Sequence, residues 1–203
     1  MTLMSIAFAG VAYASGALPW SVWLGELFFR VDPRSQSDGN PGAANAFRAG
    51  GWRLGVSVLL LDFLKGFLPV FIAKWGMQLP ESQLFWIALM PTLGHAFSIF
   101  LSFRGGRALD TLFGVWTGLT LYEVPLVMGG AAIAATLALK NDAYRAIAIP
   151  IALIAYLLIG TKPLWMLALA VAQLLILLSK IGVFYRAAAR QTAAAEPSST
   201  LKL

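Results

Sequence analysis

Two short polar stretches carry most of the chemistry this chain offers, and each is enclosed by long apolar runs. Residues 37–48 read SDGNPGAANAFR. Gly39, Asn40 followed by Pro41, and Gly42 favour tight backbone turns. Asn40 and Asn45 add amide donors and acceptors, and Arg48 adds a cation. A loop of this kind suits an anion; it equally suits an interfacial turn whose glycines only reverse the chain. The second stretch, residues 93–107, reads LGHAFSIFLSFRGGR and contains the single histidine, His95, about two helical turns before Arg104, Gly105, Gly106 and Arg107. A glycine pair lets backbone N–H groups approach a phosphate, while flanking guanidinium groups meet its oxygens in a planar fork. The competing readings are that the arginines mark a cytoplasmic boundary and that a lone histidine on an apolar helix is a buried, hydrogen-bonded group.

The elements that must position these stretches are membrane helices. Hydrophobic residues make up 59% of the chain and its mean hydropathy is +0.77, too apolar for a soluble domain with a charged exterior. A span needs about 20 mostly apolar residues. Candidates run over residues 3–29, 54–73, 84–103, 109–121, 125–139, 144–161 and 163–185. The first is not a cleavable signal peptide in form, because the first basic residue, Arg30, follows the apolar run. The short fourth and fifth candidates, parted only by Tyr122, Glu123 and Val124, raise the alternative of one bent span. Charge decides between the two. With seven spans, twelve of the 15 lysines and arginines fall on one side, only Lys74 and Lys162 on the other, and Lys65 inside a span. The positive-inside rule then puts the basic side in the cytoplasm. The expected fold is therefore all-α and polytopic, with seven transmembrane helices, the N-terminus outside and the C-terminus cytoplasmic. Residues 1–187 form one membrane domain, and 188–203 form a flexible cytoplasmic tail.

Several functional classes drop out. The chain has no cysteine, which removes disulfides and thiol catalysis. One histidine and scattered carboxylates offer no metal-ligand cluster, so no metal and no cofactor is expected. The net charge of +6 is spread over short loops rather than gathered on one face, which argues against nucleic acid. Asp62 and Lys65 interrupt LGVSVLLLDFLKGFLPVF, where an intramembrane charge costs at least about 2.5 kcal/mol. Three residues apart, they share a helix face. They are expected to form an ion pair docking this helix on the preceding loop, with a role towards substrate as the alternative.

Together the motifs resemble those of the bacterial membrane acyltransferases that use acyl phosphate and glycerol 3-phosphate. SDGNPGAANAFR is similar to that family's GSGNxGATNxxR loop, SGALPWSVWLGEL to its first helix, and LLLDFLKGFLPV to its DxxKG helix. Gly94, His95, Phe97, Phe100, Leu101, Phe103, Arg104, Gly105, Gly106 and Arg107 echo its GHxFPxFLxFKGGKG signature. The resemblance covers roughly the first 115 residues. It implies a seven-helix bundle in the bacterial cytoplasmic membrane with a groove facing the cytoplasm. Acyl phosphate, glycerol 3-phosphate and membrane lipids would be its partners, and lysophosphatidate its product. By the same resemblance, Asn40, Gly42, Asn45 and Arg48 hold phosphate, Arg104, Gly105, Gly106 and Arg107 complete the cradle, and His95 and Asn45 are the catalytic candidates. The chain departs from the pattern at Asp38 for serine, Ala44 for threonine, Ala108 for glycine, and Arg104 and Arg107 for lysines. LLILLSKIGVFYRAAARQ lacks the family's C-terminal HRxNIxRLLxGTE pattern, and LKNDAYRAI replaces a serine-bearing loop. Three alternatives follow: a catalytically impaired relative acting as a binding or regulatory protein, an acyltransferase with another acceptor, and a transporter.

Overall fold

A computed structural model of the chain describes residues 2–195, with side chains over 2–184. Every regular element among the described residues is helical. Helix α1 (Leu3–Ala17) starts where the Thr2 hydroxyl accepts the Ser5 N–H, the side-chain cap that satisfies a first-turn donor. It breaks at Leu18–Pro19 and continues, bent by 41°, as α2 (Trp20–Leu24) and a π-helical turn, Gly25–Phe29. Then come α3 (Ala43–Phe71, extended by a wide turn to Gly76), α4 (Glu81–Ala96), α5 (Leu109–Thr120), α6 (Glu123–Ala138), α7 (Asp142–Ile159) and α8 (Leu164–Ala195). Helix α8 runs past residue 188, where the sequence reading begins its tail. Residues 196–203 of that tail lie outside the described residues.

A helical segment thus lies on each of the seven apolar stretches. Four, α3, α4, α7 and α8, are long and apolar enough to cross a membrane, and the bent α1–α2 pair makes a fifth. Helices α5 and α6, of 12 and 16 residues, are about 18 and 24 Å long, short of the roughly 30 Å hydrocarbon thickness. They are antiparallel neighbours, not halves of one bent helix: the start of α5 and Ala132 and Thr136 near the end of α6 line one groove, while Leu119 and Glu123 meet at the opposite end. There the ends of α3, α5 and α7 converge with the starts of α4, α6 and α8. Lys162 pairs with Glu123, Tyr156 donates to the same carboxylate, and Lys74 donates to the Leu119 carbonyl.

Small residues set the helix spacing that builds the groove. A side chain at Gly16 or Gly94 would collide with the facing backbone of α4 or α1, and one at Gly66 or Gly114 with that of α5 or α3. These contacts let the backbones approach closely, as in membrane bundles generally. Trp116, Leu112, Leu119, Leu153 and Leu169 form the buried core. A polar relay crosses it, from Trp116 Nε1–H to Gln173 Oε1 at 2.8 Å and from Gln173 Nε2–H to Thr92 Oγ1 at 3.1 Å, so each buried polar tip has a partner. Leu60, Leu126, Ile133, Leu137, Ile151, Leu158 and Leu175 face outwards, as an apolar solvent requires.

Candidate functional site

The first polar stretch folds as a loop closed by its own side chains. Upstream of it, the Asp32 carboxylate accepts the Arg34 N–H and Nε–H, each at 2.9 Å, and the side-chain bond holds that carboxyl below the usual carboxylate range. Gly39 has φ +78°, a left-handed conformation that suits glycine. Asn45 is buried, and its amide is fully engaged inside the loop. Nδ2 lies 2.9 Å from the Gln36 carbonyl, 3.0 Å from the Asn40 carbonyl and 3.0 Å from Asp38 Oδ1, while Oδ1 accepts Arg48 Nη1–H at 2.7 Å. Sequence reasoning expects Asn45 among the catalytic groups; in the structure it lines the groove while its amide is hydrogen-bonded within the loop and to Arg48. Helix α3 begins directly after Gly42 without a side-chain cap, so the first-turn N–H groups from Ala43 onward open on the groove. Two turns later Gly51, at φ +72° and ψ −167°, breaks the helix and separates this opening segment from the rest of α3.

The second stretch packs against the first. Asn40 Oδ1 accepts the Arg107 N–H at 3.2 Å, and Arg107 forms an ion pair with Asp38. The Gly106 N–H donates to the His95 carbonyl at 3.1 Å, folding the RGGR turn back over the end of α4. Both glycines are needed for that closeness. A Cβ on Gly105 would run into the His95 carbonyl, and one on Gly106 would lie 2.5 Å from His95 Nε2 and 2.9 Å from Asn40 Oδ1. The turn is held from behind: Tyr13 OH donates to the Phe97 carbonyl at 2.6 Å, and buried Lys180 lies over the Phe97 ring at 4.5 Å.

His95 is buried at the base of the groove. Its Nδ1 shares a hydrogen bond with the buried Thr111 hydroxyl at 3.2 Å and lies 3.9 Å from Asp62 Oδ2, leaving Nε2 turned towards Gly106. Asp62 Oδ1 in turn pairs with Lys65 Nζ at 2.7 Å, and Nζ also donates to the Leu18 carbonyl at 2.8 Å. The expected ion pair is present. It docks α3 on the end of α1, not on the loop preceding α3, and it also backs His95.

The groove, about 470 Å³, runs between the starts of α3, α5 and α7 and the end of α6. Asn40, Gly42, Asn45, Arg48, His95 and Arg107 all line it. Arg104 does not: its side chain is exposed beyond the turn, because the chain reverses between it and Gly106. Gly105 is buried under the turn as a spacer. Leu59, Leu109, Phe113, Ala132 and Ile149 form an apolar wall. Asp110, Asp142 and Arg145 also line the groove, and sequence reasoning missed them. Asp142 binds Arg48 at 3.0 Å and Arg145 at 3.1 Å, while Arg145 Nε–H donates to the Leu139 carbonyl at 2.7 Å and so caps the end of α6. A signal was present in their spacing, an acid and a base three residues apart at the start of a helix, but not in any motif.

A family model described as glycerol-3-phosphate acyltransferase matches residues 6–189. The chain is 36% identical over 177 residues to a glycerol-3-phosphate acyltransferase of Pseudomonas savastanoi pv. phaseolicola, a match covering 87% of this chain and 90% of the relative. It is 39% identical over 120 residues to glycerol-3-phosphate acyltransferase 1 of Thermotoga maritima, covering 58% of this chain. That match spans only 59% of the relative's length. The crystal structure of PlsY (YgiH), an integral membrane glycerol 3-phosphate acyltransferase in its glycerol 3-phosphate form, superposes with a TM-score of 0.82. The two chains are 26% identical, with 95% of this chain and 94% of that one covered.

Proposed function

Because this chain belongs to the glycerol-3-phosphate acyltransferase family, we propose that it transfers an acyl group from acyl phosphate to the sn-1 hydroxyl of glycerol 3-phosphate, giving lysophosphatidate. One observation carries the reading: the two polar stretches, 67 residues apart at Asn40 and Arg107, join across a single groove that also holds His95 and opens on an apolar wall. Acyl phosphate is a mixed anhydride with a good leaving group. The protein therefore has to place two anionic substrates side by side and stabilise the oxyanion that develops. In this reading the first-turn N–H groups of α3, Arg48 and Arg107 take the phosphates, with Asn40 and Gly42 shaping the cradle and Gly105 and Gly106 keeping it narrow. The acceptor oxygen attacks the acyl carbon, the bond from that carbon to the phosphate oxygen breaks, and phosphate leaves with the electron pair. The hydroxyl proton passes to His95 Nε2 or to the departing phosphate. The acyl chain lies along Leu59, Phe113 and Ile149 towards lipid.

We further propose seven spans in the bacterial cytoplasmic membrane, the N-terminus outside, and the C-terminus and the groove on the cytoplasmic side. Arg48, Arg107 and Arg145 line the groove, and Arg30, Arg34 and Lys140 lie in the segments that lead into α3 and α7 at that end, which supports this. Phosphate release from palmitoyl phosphate by the purified protein in lipid, with and without glycerol 3-phosphate, tests the activity. Acceptor-dependent release that falls at least about 100-fold in Arg107→Ala is the expected result. The contact between Asp38 and Arg107 favours a second reading, an impaired relative or one with a different acceptor. Absence of acceptor-dependent release from the native protein would select it.

A further inference from the structure

Asp38 stands where the family's loop carries serine, and its carboxylate is bound the way a ligand would be. Oδ1 accepts the Asn40 backbone N–H at 3.1 Å and Asn45 Nδ2–H at 3.0 Å, while Oδ2 meets the Arg107 guanidinium. A carboxylate whose task was to aim Arg107 would need only the last contact. Here both oxygens are engaged, and the two donors on Oδ1 belong to the loop that faces the groove. We propose that Asp38 is a tethered occupant of the phosphate cradle, which the phosphate of an incoming monoester displaces. The proposal rests on the acyltransferase reading of the groove and adds a determinant of acceptor affinity to it.

Three features fit an occupant that leaves. Asp38 lines the groove itself, and its side chain is 20% exposed, so it is seated at the surface of the cradle and not entombed beneath it. Beside it lies a second cavity of about 180 Å³, bounded by Ser37, Asn141, Ala143 and Phe184 together with Arg107 and Asp142, large enough to receive a carboxylate. The residues on either side of it, Ser37 at φ +49° and Gly39 at φ +78°, are both left-handed. Gly39 adopts this conformation freely and Ser37 does not, so the Ser37 end of the turn carrying Asp38 is held by its contacts more than by backbone preference. Electrostatics gives the direction. A phosphate dianion cannot settle on Arg107 beside a retained carboxylate without strong repulsion, whereas exchange of one anion for a more highly charged one keeps the Arg107 guanidinium paired. The apparent affinity is then the intrinsic affinity reduced by the fraction of molecules whose cradle is vacated.

The test is calorimetric titration of glycerol 3-phosphate and, separately, of inorganic phosphate into the full chain in lipid nanodiscs. The native protein and Asp38→Asn are compared, with acyl transfer measured on the same samples. Asp38→Asn binds both ligands about tenfold more tightly than the native protein, the change expected for loss of one competing charge-assisted hydrogen bond, and its KM for glycerol 3-phosphate falls to match. Equal or weaker binding by the folded variant overturns the proposal and makes Asp38 a brace or an aiming group. Should Asp38→Asn not fold, Asp38→Ser is read by the same criterion. Failure of both to fold also overturns the proposal, since an occupant is dispensable to the fold. Tighter binding in the variant with no acyl transfer by either protein keeps the inference and removes the activity assignment. Transfer by the native protein with no gain in binding does the reverse.

Discussion

At the scale of single residues, the site depends on which atoms are already engaged. His95 has two ring nitrogens in different surroundings, and Thr111 takes the first. The hydroxyl is buried and is the hydrogen-bond partner of that nitrogen, with Asp62 Oδ2 3.9 Å away on the same side. Thr111→Val leaves Nδ1 without this partner, at a cost of about 1 to 3 kcal/mol for a buried polar group. If His95 handles the acceptor proton, kcat falls about tenfold or more while KM for glycerol 3-phosphate barely moves, and the thermal midpoint drops by several degrees in keeping with that cost. Steady-state kinetics on the folded variant checks this, and an unchanged kcat would remove ring orientation from the mechanism. Asn45 shows the converse: it lines the groove, yet its amide is already hydrogen-bonded within the loop and to Arg48. The motif marks it as important, and its environment decides how.

At the scale of elements, α3 serves two purposes on either side of the break at Gly51. Its first turn offers N–H groups at the groove, and the part beyond Gly51 crosses the bundle with Asp62 and Lys65 on its buried face. Their pair ties α3 to the end of α1 through the Leu18 carbonyl and stands behind His95. Breaking a buried pair leaves an uncompensated charge. Asp62→Leu and Lys65→Met each cost about 3 to 5 kcal/mol, and the double variant regains most of that loss. Thermal unfolding in detergent, read as a double-mutant cycle, measures the coupling. Additive losses would mean that the two charges are independently solvated and that α3 is held by packing alone. Such packing is extensive, since Gly66 and Gly114 bring α3 and α5 together as closely as backbones allow.

For the molecule as a whole, function depends on which face holds the groove. Because the chain contains no cysteine, single introduced thiols report sidedness without background. Ser82→Cys, at the start of α4, lies at the end away from the groove, and Lys140→Cys, just before α7, lies at the groove end. In intact cells a membrane-impermeant maleimide is expected to label position 82, and to reach position 140 only after permeabilisation. Labelling of both from outside would contradict the seven-span arrangement, as would labelling of neither. The short α5 and α6 make this more than a formality, since neither is long enough to cross an undistorted bilayer alone.

Much of this protein is determined locally and is therefore visible in its sequence. Apolar length specifies membrane helices, because unpaired backbone groups are too costly in hydrocarbon for anything else. The turn residues of SDGNPGAANAFR and RGGR specify two tight polar loops, because glycine and asparagine adopt backbone conformations that other residues resist. Tertiary structure alone decided what those loops face. Asp142 and Arg145 join the groove from a helix about 100 residues further along the chain, and Arg104 turns away from it although it shares a motif with Arg107. The joining of Asp38 to Asn40, Asn45 and Arg107 is likewise invisible in one dimension. It depends on Asn40, Asn45 and Arg107 being brought together by the packing of α3 against α5. Local sequence sets the conformation each segment prefers; only the packed fold sets which charges become neighbours.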